Sequence, residues 1–238
     1  MEPGAPPTAA TLAAWIRLLL GDQFPESTNG VWQPGDGRPL RRLGVALAGS
    51  ASVAAAARDA SVDALLLHRP WWLETLPPEM AVLAFHEALD NRLTTGNNPW
   101  LAAALGFTLG ETISEQQDRP LVCLAHALQP LSVGDLLAHL DAQFPGSVFN
   151  IWKALPPSEP IHTIALANAM RPTLVALAAH RGATLYLTGT LRPAAQVTLL
   201  QTSMMAVGLG HEAIERWGLR WLTTAIQTHF PIEIVWLD

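Results

Sequence analysis

The chain has 238 residues, half of them hydrophobic and 14% charged, with a formal net charge of −6 and a pI near 5.7. That balance excludes a disordered chain, allows one large core or two small ones, and argues against nucleic-acid binding through a basic face. The single cysteine, Cys123 in the apolar run LVCLAH, excludes an internal disulfide and reads as a buried thiol in a reducing compartment. The opening MEPGAPPTAATLAAW lacks the basic start and apolar run of a signal peptide, and Arg17 interrupts the nearest apolar stretch. A soluble, cytoplasmic protein with no membrane partner is expected.

In chain order, Thr8–Leu20 reads as an amphipathic helix after a proline-rich start. The Gly-, Pro-, Asn- and Asp-rich segment Asp22–Arg41 reads as loop, with a short strand at Val31–Trp32. Leu43–Ala48 is a buried-strand candidate, Ala51–Ala60 an alanine-rich helix and Ala64–Leu67 a second strand. This is a β-α-β unit with His68 at the carboxyl end of its second strand, the edge where parallel α/β sheets place ligands. AVLAFHEALD fits either a helix or a strand running into a loop. Gly96–Asn97–Asn98 supplies turn chemistry and Pro99 suits a helix start. Leu121–Leu124 is a strand candidate, and Ser132 with Asp135 resembles a capping box opening a helix through Phe144. A helix from His211 to about Thr228 and a strand at Ile232–Leu237 close the chain.

The first unit recurs. Ile164–Ala167 (IALA) matches Val45–Ala48 (VALA), Thr184–Leu187 (TLYL) matches Ala64–Leu67 (ALLL), and Pro172–His180 is again a short alanine-rich helix. The expected fold is α/β, with two similar lobes from an internal duplication, residues 1–118 and 119–238, and a metal cleft between them. The C-terminal helix and strand are free to return to the first lobe.

Three stretches carry histidine, two of them with a carboxylate at a four-residue spacing, and imidazole and carboxylate are the usual ligands for borderline divalent metals. They are His68 in LLLHRPWW, His86 with Asp90 in FHEALDNRLTTGNN, and His211 with Glu215 in GLGHEAIERWG. A four-residue spacing on a helix stacks two side chains on one face. Taken alone, His211–Glu215 is equally a surface pair worth about 0.3 kcal/mol, His86–Asp90 a capped helix start, and His68 a satisfied strand-end residue. Trp71 and Trp72 read as packing or as a wall over the site. Asn97 stands near it in a turn whose amides can fix a carboxylate. His126, His139, His162, His180 and His229 lack carboxylates at useful spacing and are read as structural. Val45–Ala48 is followed by GSASVAAAA, which lacks a dinucleotide fingerprint, and no P-loop or nucleophile elbow occurs.

TNGVW, VDALLLHRP, HEALDNRLTTGNNPWLAAALG and GLGHEAIERWGLRWLTTAI with the terminal FPIEIVWLD fall in order along nearly the whole chain. In this order they resemble the dinuclear-metal-centre family known as GTP cyclohydrolase I type 2, or the NGG-interacting-factor family. The resemblance implies two α/β lobes with a metal pair between them and ring-shaped oligomers, often hexamers. It implies His68, Asp90, His211 and Glu215 as ligands, with His86 beside them. The chain departs from the family at Arg69, where the family has the second histidine of a pair, and at Thr190 and Arg192–Pro193. The stretch between His68 and His86 is also shorter than is usual there.

A guanidinium has no lone pair to give and stays charged. Two unit charges 4 Å apart cost about 4 kcal/mol at an effective dielectric near 20, and a divalent ion roughly doubles this. The expectation is therefore at most one divalent ion (Zn, Mn or Fe) per chain, or none, with Arg69 paired to Asp90 or Glu215. Activity would be metal-dependent hydrolysis of a small nucleotide-like or phosphorylated substrate. The alternatives are a metal-binding protein or ring-forming scaffold that has lost turnover through Arg69.

Overall fold

The computed structural model describes residues 5–21, 23–117 and 119–238. Met1–Gly4, Asp22 and Asp118 lie outside the described residues, and with them the first residue of the expected loop and the last of the expected first lobe. The elements run α1 (Ala9–Leu20), β1 (Asn29–Gln33), β2 (Arg42–Ala48), α2 (Ala51–Asp59), β3 (Ala64–Arg69), β4 (Ala81–Phe85), α3 (Glu87–Arg92) and α4 (Pro99–Ala104). They continue as β5 (Phe107–Gln116), β6 (Arg119–Ser132), α5 (Val133–Gln143), β7 (Asn150–Trp152), β8 (Pro160–Ala167) and α6 (Pro172–His180). The chain ends with β9 (Leu185–Thr188), α7 (Gln196–Leu200), β10 (Met205–Gly208), α8 (His211–His229) and β11 (Glu233–Trp236). Among the described residues, no helix is long and apolar enough to cross a membrane.

The chain divides into two compact units. The first holds the residues up to Asp90 together with Gly218–Asp238, and its sheet has the order β1-β4-β3-β2-β11. β1 runs antiparallel to β4, and the remaining neighbours are parallel. Ala64–His68 and all of β4 are buried, and Ala64–Leu67 and Ala81–Phe85 read as unbroken apolar runs, as expected where a parallel sheet is covered on both faces. Val53, Ala54 and Ala57 of α2 pack on Ala46, Leu65, Leu67 and Val82. Each fully buried Leu or Val contributes about 1.5–3 kcal/mol relative to exposure.

The second unit, Asn91–Trp217, contains the sheet β5-β6-β8-β9-β10-β7. Leu174, Val175 and Ala178 of α6 pack with Val122, Leu124, Ala165, Tyr186 and Ala206. Burial there would strand the Tyr186 hydroxyl, which instead donates to the Ala169 carbonyl at 2.6 Å. Cys123 is free and buried, and burial pushes its thiol up.

Both units contain a parallel βαβ piece. Val45 pairs with Leu66 in the first and Ile164 with Leu185 in the second, the same sequence separation, with a helix between the strands each time. The chain is thus a mixed α/β protein with two sheets.

Candidate metal centre

His68 lies near the end of β3 and is fully buried. The β3–β4 register pairs Leu67 with Ala84, which sets the end of β3 beside the point where β4 gives way to α3. There His68 Nδ1 lies 3.0 Å from the Phe85 carbonyl oxygen. A carbonyl only accepts, so Nδ1 carries the hydrogen of that bond and Nε2 is turned to Asp90 Oδ1, 3.6 Å away.

His86 follows β4 directly, and its carbonyl accepts from the Asp90 amide at 3.0 Å, so the two residues sit one helical turn apart. His86 Nε2 is 3.7 Å from Asp90 Oδ2, and the two imidazoles stack with centroids 4.8 Å apart. Donor atoms of His68, His86 and Asp90 all lie within 4.8 Å of one another. The separations of 3.6–3.7 Å are wide for hydrogen bonds. They are close to the ~3.4 Å between two ligand atoms that each lie about 2.1 Å from one tetrahedral ion. Two imidazoles and a carboxylate form a donor set suited to a divalent metal, and the residues present fit such an ion.

Burial holds His86 below the usual imidazole range, helped by repulsion from His68 and Arg69 and opposed by the carboxylates of Asp90 and Glu87. The ring is therefore mainly neutral at pH 7 and carries a lone pair. Trp71 packs edge-on against it at 4.8 Å and is itself 44% exposed, so it forms one wall of the cluster. Arg69, the last residue of β3, lies near enough for its charge to act on His86.

The other predicted residues lie in the second unit. His211 Nε2 is 3.0 Å from Glu215 Oε1 at the start of α8, with Glu215 buried and His211 exposed. That helix opens on Gly210, whose φ of +93° favours glycine, and whose carbonyl accepts from Ile214. The Asn97 carbonyl accepts from Arg92 at 3.4 Å, and Asn98 caps α4 by accepting from Leu101 at 2.9 Å. Three of the remaining histidines have partners within the fold: His126 on Thr163, His139 on the Leu105 carbonyl, and His229 stacked on Trp15.

Two residues at the cluster carried no role in the sequence reading. Asn29 is 1% exposed and binds Glu87 Oε2 through Nδ2 at 2.8 Å. Burial alone would raise the Glu87 carboxyl, but hydrogen bonds from Thr28, Asn29 and the backbone outweigh it and hold the group below the usual range. No spacing rule marks either residue, since Glu87 simply follows His86 and Asn29 lies far away in sequence.

A chain with two α/β units, and at a strand end a buried His68 beside the partly exposed His86 and Asp90, falls in the class of α/β proteins with a strand-end His–His–Asp cluster that could hold a metal ion. Its family follows from comparison with known proteins. The family model for Duf34/NIF3 (NGG1p interacting factor 3) matches residues 72–238, a span that holds His86, Asp90, His211 and Glu215, and the chain belongs to that family. A GTP cyclohydrolase 1 type 2 homolog of Pseudomonas aeruginosa is 24% identical over 220 residues, covering 85% of this chain and 86% of its own. A protein of the same name from Neisseria meningitidis serogroup A is 27% identical over 196 residues, 76% of each chain. Among solved structures, the structural-genomics protein ybgI, of unknown function, superposes with a TM-score of 0.74 at 19% identity, covering 96% of this chain and 97% of its own. Reduced HcgD from Methanocaldococcus jannaschii gives 0.70 at 20% identity, covering 97% and 98%. At these identities the structures establish the fold alone.

Proposed function

We propose that the protein is a metal-dependent hydrolase that holds one divalent cation, Zn, Mn or Fe, and acts on a small nucleotide-like or phosphorylated substrate. The observation that carries this reading is the gathering of His68, His86 and Asp90 donor atoms within 4.8 Å. The name shared by the relatives supports the nucleotide class of substrate. When bound, such an ion lowers the pKa of a coordinated water and polarises the bond under attack. His68, fixed through Nδ1, and His86, neutral at pH 7, offer nitrogen lone pairs, while Asp90 offers negative charge. His211 and Glu215 are proposed as further ligands on the strength of the family resemblance.

Arg69 favours a second reading, a metal-binding or ring-forming scaffold without turnover. Its charge already disfavours protons on His86, and it disfavours a second cation in the same way. A homo-oligomer, with a hexamer as the family analogue, is proposed under both readings.

The test is metal content of protein purified without chelator or histidine tag, beside the variants His68→Ala, Asp90→Ala, His211→Ala and Glu215→Ala, followed by turnover on a nucleotide panel. At most one ion per chain is expected, lost in the first two variants. Retention of wild-type metal content in both would sink the reading. A loaded protein without turnover on any nucleotide selects the scaffold.

A further inference from the structure

A second row of contacts converges on His86. Asn29 donates from Nδ2 to Glu87 Oε2 (2.8 Å), Thr28 Oγ1 (3.1 Å) and the Pro25 carbonyl (3.2 Å), and its Oδ1 accepts from the Ala88 amide at 2.8 Å. The Ala88 N–H only donates and the Pro25 carbonyl only accepts, so the buried amide has one orientation and meets Glu87 with a donor. Glu87 Oε2 lies 3.7 Å from His86 Nδ1, and Asp90 Oδ2 lies 3.7 Å from His86 Nε2. A carboxylate thus faces each ring nitrogen, and each favours the hydrogen on its own side. With the hydrogen on Nε2, the ring would turn a donor toward Asp90 and have no lone pair there for an ion.

We propose that Asn29 and Glu87 are positioning residues that hold His86 as its Nδ1–H tautomer, leaving the Nε2 lone pair on the Asp90 side for a divalent cation. This rests on the metal-binding reading above. Ligating histidines commonly direct their second N–H to a carboxylate or carbonyl that fixes the ring and the tautomer. His68 uses the Phe85 carbonyl for this. For His86 the carboxylate facing Nδ1 is that of the adjacent glutamate, which at 3.7 Å acts through its charge and not through a direct hydrogen bond, and Asn29 pins that glutamate from β1. Without the pin, the partly exposed Glu87 side chain would spread over several rotamers.

The test uses the whole chain, metal-stripped and then titrated with Zn²⁺, comparing wild type with Glu87→Gln, Glu87→Asp and Asp90→Asn. Long-range ¹⁵N–¹H NMR of the His86 ring at mildly alkaline pH reports the tautomer in the metal-free state. Wild type should show Nδ1–H. Glu87→Gln should move the ring toward Nε2–H and weaken Zn²⁺ binding roughly 10–100-fold, with Glu87→Asp recovering part of the loss. The metal-free unfolding midpoint should barely move, which separates positioning from structural support. An Nε2–H ring in wild type, or a Glu87→Gln variant with unchanged tautomer and affinity, overturns the proposal, while loss of Zn²⁺ in Asp90→Asn would still uphold the metal reading. If Asp90→Asn binds Zn²⁺ like wild type, the metal reading itself falls, and with it the role proposed for Asn29 and Glu87.

Discussion

Arg69 and Gly49 meet where β2 and β3 end, and each supports a prediction at the scale of one residue. The Gly49 amide donates to the Arg69 carbonyl at 2.7 Å, and Ala48 pairs with Arg69 across the sheet, so the backbone of Arg69 is fixed. Its side chain, whose charge acts on His86, is proposed to limit the neighbouring donors to one cation. Arg69→His removes a fixed positive charge and adds an imidazole lone pair, and the expected outcome is a metal content raised from at most one per chain toward two. Elemental analysis finding two ions per chain in the unmodified protein would remove the basis for this. Gly49 is a different case. A Cβ there would come within 2.8 Å of Leu73 Cβ and 2.9 Å of the Leu73 backbone nitrogen. Leu73 closes the turn that carries Trp71 and Trp72 through its bond to the Pro70 carbonyl at 2.9 Å. Gly49→Ala is therefore expected to cost about 1–3 kcal/mol in urea unfolding, because backbone must move to relieve the overlap. An unchanged midpoint would show that the turn shifts freely.

At the scale of elements, α5 gives the cleanest test. Ser132 Oγ accepts from the Asp135 amide at 3.2 Å, and Asp135 Oδ2 accepts from the Ser132 amide at 2.9 Å, a reciprocal capping box. Ser132→Ala should cost about 1 kcal/mol. The Ser132 hydroxyl and backbone hydrogen bonds hold the Asp135 carboxyl below its usual range. A depressed folded-state value means the contribution is complete above the unfolded carboxylate range and is lost as pH falls through the folded value. The gap in melting temperature between wild type and Asp135→Asn should accordingly shrink as the solution is acidified. A gap that widens in acid would contradict this. The capping box was legible because its residues are local, and α6 and α8 were legible from their helical patterns. β2 and β3 were legible as apolar runs between breakers. β5 was not, because FTLGETISEQ lies at a sheet edge and is largely solvated, so burial leaves little pattern in it. AVLAFHEALD was ambiguous because strand turns to helix at His86 with no glycine or proline to mark the change. The His86–Asp90 pair shows in its spacing. Its meeting with His68 depends on the β3–β4 register, and Asn29 on the β1–β4 pairing, which no local pattern encodes.

At the scale of the whole molecule, the nine tryptophans bear on assembly. If they filled the two cores they would be buried, yet Trp32, Trp71, Trp72 and Trp236 are 44%, 44%, 68% and 39% exposed, and among the described residues only Trp217 is buried. Leu18, Leu128, Val148, Val197 and Leu200 are also exposed. Scattered apolar side chains are ordinary on a monomer, but tryptophan is enriched at interfaces because it combines large apolar area with few rotatable bonds. The proposed homo-oligomer would cover some of these rings, and two-fold contacts are the commonest way to do so. Sedimentation velocity at micromolar concentration should show a species larger than the 25.6 kDa chain. Acrylamide quenching of tryptophan fluorescence should be weaker in that species and should rise on dilution, as rings shielded by a neighbouring copy return to solvent. A monomer at micromolar concentration, quenched to the same degree at every dilution, would reject the assembly and leave the exposed rings as surface of the single chain.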